Sequence, residues 1–466
     1  MKEMSFLNNE WLHRLTGDPF ADTGGFVIEY LQTIKPNSSI IELIEYITNI
    51  YVNKWDNNLH SFFLNSTITH NSNKGQKGIN KTIAYYKGLL DNKDSVDGVC
   101  RITGQRGKVF FGARENHIMS GSATLINFHH GFESGIHLSK EVLIRMLFLP
   151  LGVEQLGDKI AIVTSNNADV MRYFVRKNVN NNLKDLASGI SGSVQKSEHS
   201  NPTNALFDYV SQCVENLKTV TYNNETDKSE TKGIVLNLFH FTNFGAKPTI
   251  NIYTIPAIVF DYYAFCIVNY KNEWNGFINY YYHYSKFKDA KYNEELGVWY
   301  NSKESVNYQI YKVWKNTVFE YLLNGKTILP LFLRYCKSHH LNFKIVELYQ
   351  INIKCMDKRS LVKIKEMAVF IVKDRSDDEI KKAMTRLNGA KNSNDLRFFL
   401  LKLLNKNYEE GNKEPLFSLD EYVEYLFPDG AYWKEIRDLL LIAVFEKLHE
   451  VNKLLELDLP DNNSEE

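Results

Sequence analysis

Apolar positions recur three and four apart in SSIIELIEYITNIYVNKW, which predicts a helix with Ser38 or Ser39 as N-cap and Glu42 in its first turn. Just upstream, WLHRLTGDPFADTGGFVIEYL predicts a turn at Thr16–Pro19 and a second loop at Asp22–Gly25, followed by an apolar run. SFFLNSTITHN is rich in β-branched and aromatic residues and reads as a strand. NSNKGQKGINKT reads as a polar, glycine-punctuated loop and KTIAYYKGLL as a short helix. KIAIVTS predicts a buried strand, ADVMRYFVRKNVNNNLKDL a helix with a basic face, SGISGSVQKSEHSNP a flexible connection, and NALFDYVSQCVENL a helix. GIVLNLFHFTNFG and PTINIYTIPAIVFDYYAFC are apolar on both faces and predict strands of a buried sheet. After about Asn301 the texture changes to helix-like segments separated by short polar turns. The expected architecture is α+β: a mixed α/β N-terminal domain with a buried sheet over residues 1–300, then an all-helical C-terminal bundle over 301–466.

Composition narrows the class. A chain of 466 residues, 44% hydrophobic, can bury two or three cores at about 150 residues per domain. The five cysteines are odd in number and never form a C-x-x-C pair, so reduced thiols are expected. The start MKEMSFLNNEWL lacks a basic segment followed by an apolar one, and no continuous apolar run reaches about 18 residues. A cytoplasmic protein without a membrane segment is therefore expected. Net charge is zero, which excludes a uniformly basic coat but not a local basic groove.

The segment from Cys100 to Gly152 combines glycine, arginine, asparagine and histidine as no other does. Arg101, Arg106, Lys108 and Arg114 alternate with glycines that permit close backbone approach. Arginine and glutamine can read groove edges bidentately, so Arg101, Gln105, Arg106 and Arg114 are the first candidates for contact with duplex DNA. Lys74, Gln76 and Lys77 form a second candidate loop, and Asn243 a further contact. Basic residues outnumber acids roughly two to one both between Asn73 and His117 and between Lys354 and Lys406, while acids dominate from Glu409. That second asymmetry suits either tracking of a nucleic-acid backbone or docking onto a protein. In LNLFHFTNFG the alternating phenylalanines are expected in the core, with His240, Thr242 and Asn243 pointing elsewhere.

Enzyme signatures are weak. GQKGINKT lacks the glycine before Lys81 that a phosphate-binding loop requires. His117, His129, His130 and His137 with Cys100 fit no zinc-finger, ribbon or H-E-x-x-H spacing, so no metal site and no cofactor is expected. A metal-dependent nuclease built on those histidines is the rival reading, and a pure protein scaffold the third.

Several separated stretches point one way: WLHRLTGDPFADTGGFVI, VCRITGQRG, GARENHIMSGSATLINFHHGFESGIHLS, LFLPLG, LNLFHFTNFGAKPTINIYTIPAIVFDY and YWKEIRDLLLIAVFEKLHE. Together, and in this order, they resemble the CXXC–CXXC large-subunit family of type I-B CRISPR effector complexes. One departure stands out, because only Cys100 of the paired cysteines is kept, with Thr103 in the partner position. The resemblance implies a non-catalytic subunit that recognises the protospacer-adjacent motif and supports R-loop formation. Implied partners are crRNA, target double-stranded DNA, the backbone, crRNA-end and small subunits, and a recruited helicase-nuclease or transposition factor. It also implies a small-subunit-like C-terminal bundle that internal initiation at Met356 or Met367 would release.

Overall fold

The computed structural model describes residues 7–120, 126–127, 133–190, 192–217, 220–223, 228–231, 233–242, 248–283, 287–293, 295–296, 298–302, 311, 313–427 and 432–453. Asn243, His129 and His130 lie outside them. The fold is α+β, with the larger sheets in the N-terminal part and helices dominating the C-terminal part.

Packing divides the chain into two units, Met1–Thr219 with Ile234–Pro256, and Val220–Gly233 with Ala257–Glu466. The main division therefore falls at Pro256 rather than near residue 300. The reason lies in the apolar run that the sequence pattern reads as one long strand. The strand stops at Ile255, Pro256 follows, and the rest, Ala257–Asn269, is a helix. With apolar residues all round, the run carries no periodicity to separate strand from buried helix. The aromatic side chains of this helix and the next belong to the second unit: Tyr262 meets Tyr349 edge-on, and Phe277 stacks on Phe332 at 4.6 Å.

In the first unit, α1 (Asn9–His13) leads into α2 (Pro19–Ile34), capped by Asp18, whose carboxylate accepts from the amides of Phe20 and Ala21. Asp22–Gly25, expected as a loop, is thus the second turn of a buried helix. Glycine is tolerated there because a β-carbon on Gly24 would collide with the Arg145 carbonyl, and one on Gly25 would lie 3.2 Å from the Arg145 guanidinium carbon. Next come α3 (Ile40–Asn49), closed by a Ser39–Glu42 capping box, and α4 (Gln76–Leu90). Between them, SFFLNSTITHN forms turns rather than a strand. Strands β1 (Val96–Val99), β2 (Arg106–Gly112) and, past the short pair β3 (Ile126–Asn127) and β4 (Glu133–Ser134), β5 (Ile136–Leu138) follow. They make an antiparallel sheet in the order β1-β2-β5.

Helix α5 (Lys140–Phe148) carries Arg145, whose side chain is wholly buried. Its Nε donates to the Leu12 carbonyl at 3.1 Å, Nη2 to the Arg14 carbonyl at 2.5 Å, and Nη1 to Asp22 Oδ1 at 3.3 Å. Asp22 also accepts from the amides of Thr16 and Gly17 and the Thr16 hydroxyl. Burial lowers the pKa of Arg145, while the carboxylates of Asp22 and Asp18 oppose that shift.

Strands β6 (Glu154–Leu156) and β7 (Lys159–Ser165), helices α6 (Ala168–Ala187) and α7 (Pro202–Leu217), and strands β10 (Leu236–Thr242) and β11 (Thr249–Ile255) complete the unit. The hairpin β8 (Val220–Asn223) with β9 (Lys228–Thr231), which precedes β10, belongs to the other unit. The four-stranded sheet is antiparallel in the order β11-β10-β7-β6. Only its central part is buried, since β7 is nearly all core and Phe241 of β10 packs edge-on against Phe20 at 5.2 Å, whereas β11 is a largely exposed edge. His240 is buried as well, its Nε2 2.9 Å from the Leu156 carbonyl, rather than pointing into a loop contact. The serine-rich connection is held in place, since Gln155 bonds both Gln195 and Ser197 through the backbone and Asn182 accepts from the Gln195 amide.

The second unit is mostly helical, with short strand pairs at Tyr282–His283 with Lys315–Asn316 and at Lys291–Asn293 with Val298–Tyr300. Its centre is the helix Trp433–Glu450, against which Leu329–Cys336, Lys358–Val372, Asp377–Asn388 and Ser393–Glu409 pack.

Replacing Arg145 with methionine keeps the volume but strips the buried Asp22 carboxylate of its counter-ion and the Leu12 and Arg14 carbonyls of their guanidinium donor. We expect a loss of about 3–5 kcal/mol, read as a fall in the urea midpoint monitored by near-UV circular dichroism. An unchanged midpoint would show that the buried pair does not support the fold.

Candidate nucleic-acid interface

The basic segment is the tip and second strand of a β-hairpin. Its register pairs Asp97 with Lys108, Gly98 with Gly107 and Val99 with Arg106, leaving Cys100–Gln105 as the connecting turn. Cys100 organises that turn. Its amide donates to the Gln105 carbonyl at 2.9 Å, its carbonyl accepts from Gly104 at 2.8 Å, and its buried sulfur accepts from the Thr103 amide at 3.5 Å. Gly104, at φ +69, supplies the left-handed residue the turn requires. The Arg101 amide donates to the His137 carbonyl at 2.9 Å, tying the tip to β5.

This geometry sorts the candidates. Arg101, Gln105 and Arg106 are exposed together at the tip, and neither arginine has an ion-pair partner among the described residues. Lys108 is exposed too, but its Nζ lies 2.9 Å from Asp97 across the strand pair. Such an exposed pair is weak, about 0–1 kcal/mol, and yields to a phosphate. Arg114 stands beyond the far end of β2, half-buried, with its Nε 3.5 Å from Glu115. Gln76 and Lys77 occupy the first turn of α4 and Lys74 precedes its Gly75 N-cap, so this second group belongs to a helix start more than a loop. Gln76 donates to Asn80 at 2.8 Å, and Lys74 and Lys77 are exposed.

Beside the hairpin lies a cleft of about 240 Å³. Gln105, Arg106 and Lys108 line it, and Arg101, Arg114 and the residues around Gly75 do not. Its remaining walls were not evident from sequence: Asn8 and Trp11 from the N-terminal helix, Asn92, and Ser139, Lys140 and Glu141 at the start of α5. Lys140 is buried with its Nζ 3.2 Å from Asn92 Oδ1, and Glu141 accepts from the Asn8 amide at 3.1 Å. Asn92, at φ +56, has the left-handed backbone that asparagine tolerates better than most residues. Arg106, Lys108 and Lys140 outnumber Glu141 on the walls, and the N-terminal end of α5 adds positive potential. The arrangement suits a phosphate in the cleft and a base edge against the tip.

The histidines divide differently. His117 is buried, its Nδ1 2.5 Å from Ser120 Oγ, and burial pushes its pKa down to about 4. His137 lies in β5 with its ring 5.2 Å from that of Phe111. Among the described residues, no group of three or more His, Cys, Asp or Glu side chains is placed to hold a metal ion.

The second basic stretch is partly neutralised within its own unit. Arg375 pairs with Glu410, Lys363 with Glu421, Arg359 with Glu424 and Lys406 with Glu379. The excess acids from Glu409 onward are, in part, the partners of those cations.

Residues 336–466 match the family model of the DevT C-terminal domain. The match covers the C-terminal helices and none of the hairpin. No curated protein and no solved structure matches the chain. No helix among the described residues is long and apolar enough to cross a membrane.

The His117 imidazole gives a pH signature. Above pH 6.5 it is neutral folded and unfolded; below 6.5 the unfolded chain takes the proton first, so stability falls as pH drops from 6.5 to about 4. The loss approaches about 3 kcal/mol at 1.36 kcal/mol per unit. His117→Gln is expected to remove that part of the acid slope in urea titrations across this window; an unaltered slope would refute the assignment.

Proposed function

We propose that this chain is the non-catalytic large subunit of a crRNA-guided type I CRISPR surveillance complex, and that its β1–β2 hairpin reads the protospacer-adjacent motif. The observation that carries the reading is the hairpin tip. Two arginines without carboxylate partners among the described residues and a glutamine project together from a turn held by four backbone and sulfur hydrogen bonds and a fifth from the Gln105 amide to the Thr103 hydroxyl. A fork-shaped donor on a rigid turn suits the edge of a base pair, with the cleft below receiving the adjoining phosphate. In such complexes sequence is read by guide–target pairing and the protein reads only a short flanking duplex.

The match to the DevT C-terminal domain supports the reading, DevT being CRISPR-associated and Cascade-related. Under this proposal the chain assembles with crRNA, target DNA and the backbone, crRNA-end and small subunits, and recruits a helicase-nuclease or a transposition factor. The helical C-terminal region plays the small-subunit-like part. Of the two candidate internal starts, Met356 stands one residue before Asp357, the N-cap of the helix Lys358–Val372. Met367 is buried within that helix, after its core residues Leu361 and Ile364. A product starting at Met356 would keep the helix whole; one starting at Met367 would not.

The test is binding of the assembled complex to target DNA with the correct or a scrambled flanking motif. Arg101→Ala with Arg106→Ala should reduce discrimination by about 1–3 kcal/mol per lost bidentate contact, whereas Lys108→Ala should weaken both targets alike and shallow the salt dependence by about one unit. Undiminished discrimination in the double variant would rule out this hairpin as the reader.

A further inference from the structure

The second unit contains an aromatic cavity that the flanking-motif reading does not use. It measures about 250 Å³, and Tyr280, Phe287, Trp299 and Trp314 line it together with His283 and Arg334. The rings come from separate elements. Trp299 lies in the strand Val298–Tyr300, with its ring 5.8 Å from Tyr280 and its Nε1 donating to the Asn279 carbonyl at 3.2 Å. Phe287 packs 5.1 Å from Trp314. Two ring pairs held by their own contacts thus face one opening, and Tyr280, Phe287 and Trp299 are only half-buried, while His283 is exposed.

Charge decides what such a cavity takes. Aromatic cages for quaternary ammonium groups have no cation of their own, since a cation on the wall repels the ligand. Here the charged group is Arg334, exposed, on the helix Leu329–Cys336; among the described residues it has no ion-pair partner and no carboxylate lines the cavity. Ring faces beside one uncompensated guanidinium suit a flat ligand carrying an anion. Sequence-tolerant binding of single strands uses this pair of features, with bases stacked on aromatic rings and the backbone held by basic groups.

We propose that this cavity is a stacking site for an unpaired nucleobase of single-stranded nucleic acid, with Arg334 holding the adjoining phosphate. The site is distinct from the hairpin and does not depend on the flanking-motif reading. In a complex that opens a duplex, unpaired bases are available to it.

The experiment is fluorescence anisotropy of the purified full-length chain with a labelled short oligothymidylate, and with an abasic strand of the same length. The intact strand should bind about tenfold more tightly than the abasic one, the lower part of the range for one stacked base. Arg334→Ala, an exposed substitution that breaks no ion pair, should weaken binding about tenfold and reduce the salt slope by about 0.7, one phosphate on a single strand. Trp299→Leu should erase the preference over the abasic strand, provided circular dichroism shows it folded; Phe287→Ala serves the same purpose from the other ring pair. Equal binding of intact and abasic strands, or no effect of Arg334→Ala, overturns the proposal. So does thymidine monophosphate competing as tightly as the oligomer, which would make this a free-nucleotide site. The Arg101→Ala/Arg106→Ala variant should keep its preference for the intact strand, so failure at one site is separable from failure at the other.

Discussion

The first unit is organised around a guanidinium that has no water. Arg145 lies fully buried in the last turn of α5 and spends its donors on two carbonyls of the N-terminal segment and on Asp22 in α2. A buried charge is costly unless every part of it is satisfied, and this one recruits three acceptors, from the end of α1 and from α2, to satisfy it. The crossing must be close, which is why Gly24 and Gly25 sit mid-helix where glycine is otherwise unfavourable by about 1 kcal/mol. The same ties fix α1 against α5, and the Asn8 amide bond to Glu141 does so at the start of α5. Trp11 and Asn8 are thereby set opposite Ser139, Lys140 and Glu141, and the cleft beside the hairpin is the gap that remains. The shape of the candidate interface follows from a pair that touches no ligand.

Local signals were legible where one rule governed a segment. The Ser39 cap, the strand KIAIVTS and the helix after Asn167 all appear where periodicity and capping place them. Failures occurred where a distant partner overrode the local rule. DTGG has the composition of a loop, yet it is helical because Arg145, more than a hundred residues later, requires the approach. SFFLNSTITHN has strand composition but no strand to pair with. AIVFDYYAFC is buried on all sides, so its pattern cannot distinguish strand from helix, and Pro256 was the only punctuation available. The domain boundary moved with it.

For the site, sequence supplied the tip and missed the walls. Arginine beside glycine is a local signature, so Arg101, Gln105 and Arg106 could be found in one pass. Lys140 and Glu141 belong to a run that reads as scaffold, and Trp11 and Asn8 are brought in by long-range ties, the Arg145 contact to α1 and the Asn8 amide bond to Glu141. Arg145 itself was hidden inside LIRMLFLPLG, where an isolated cation among aliphatic residues is the one clue that something must satisfy it.

Counting charges along a chain is a poor guide to where an anion will bind, and the two basic stretches show why. Both carry roughly twice as many cations as acids in sequence. In the C-terminal helices, Arg375, Lys363, Arg359 and Lys406 meet carboxylates, three of them from the acidic segment that follows, so part of the apparent excess is internal. At the hairpin tip the strand register places Asp97 against Lys108 and gives Arg106 only Val99 as its opposite number. A two-residue periodicity thus decides which cation is paired and which is free. Arg334 reaches the same condition by another route, standing at a cavity that no acid lines among the described residues. Arg101, Arg106 and Arg334 meet no carboxylate among the described residues, and that is the physical ground on which a partner is proposed for them.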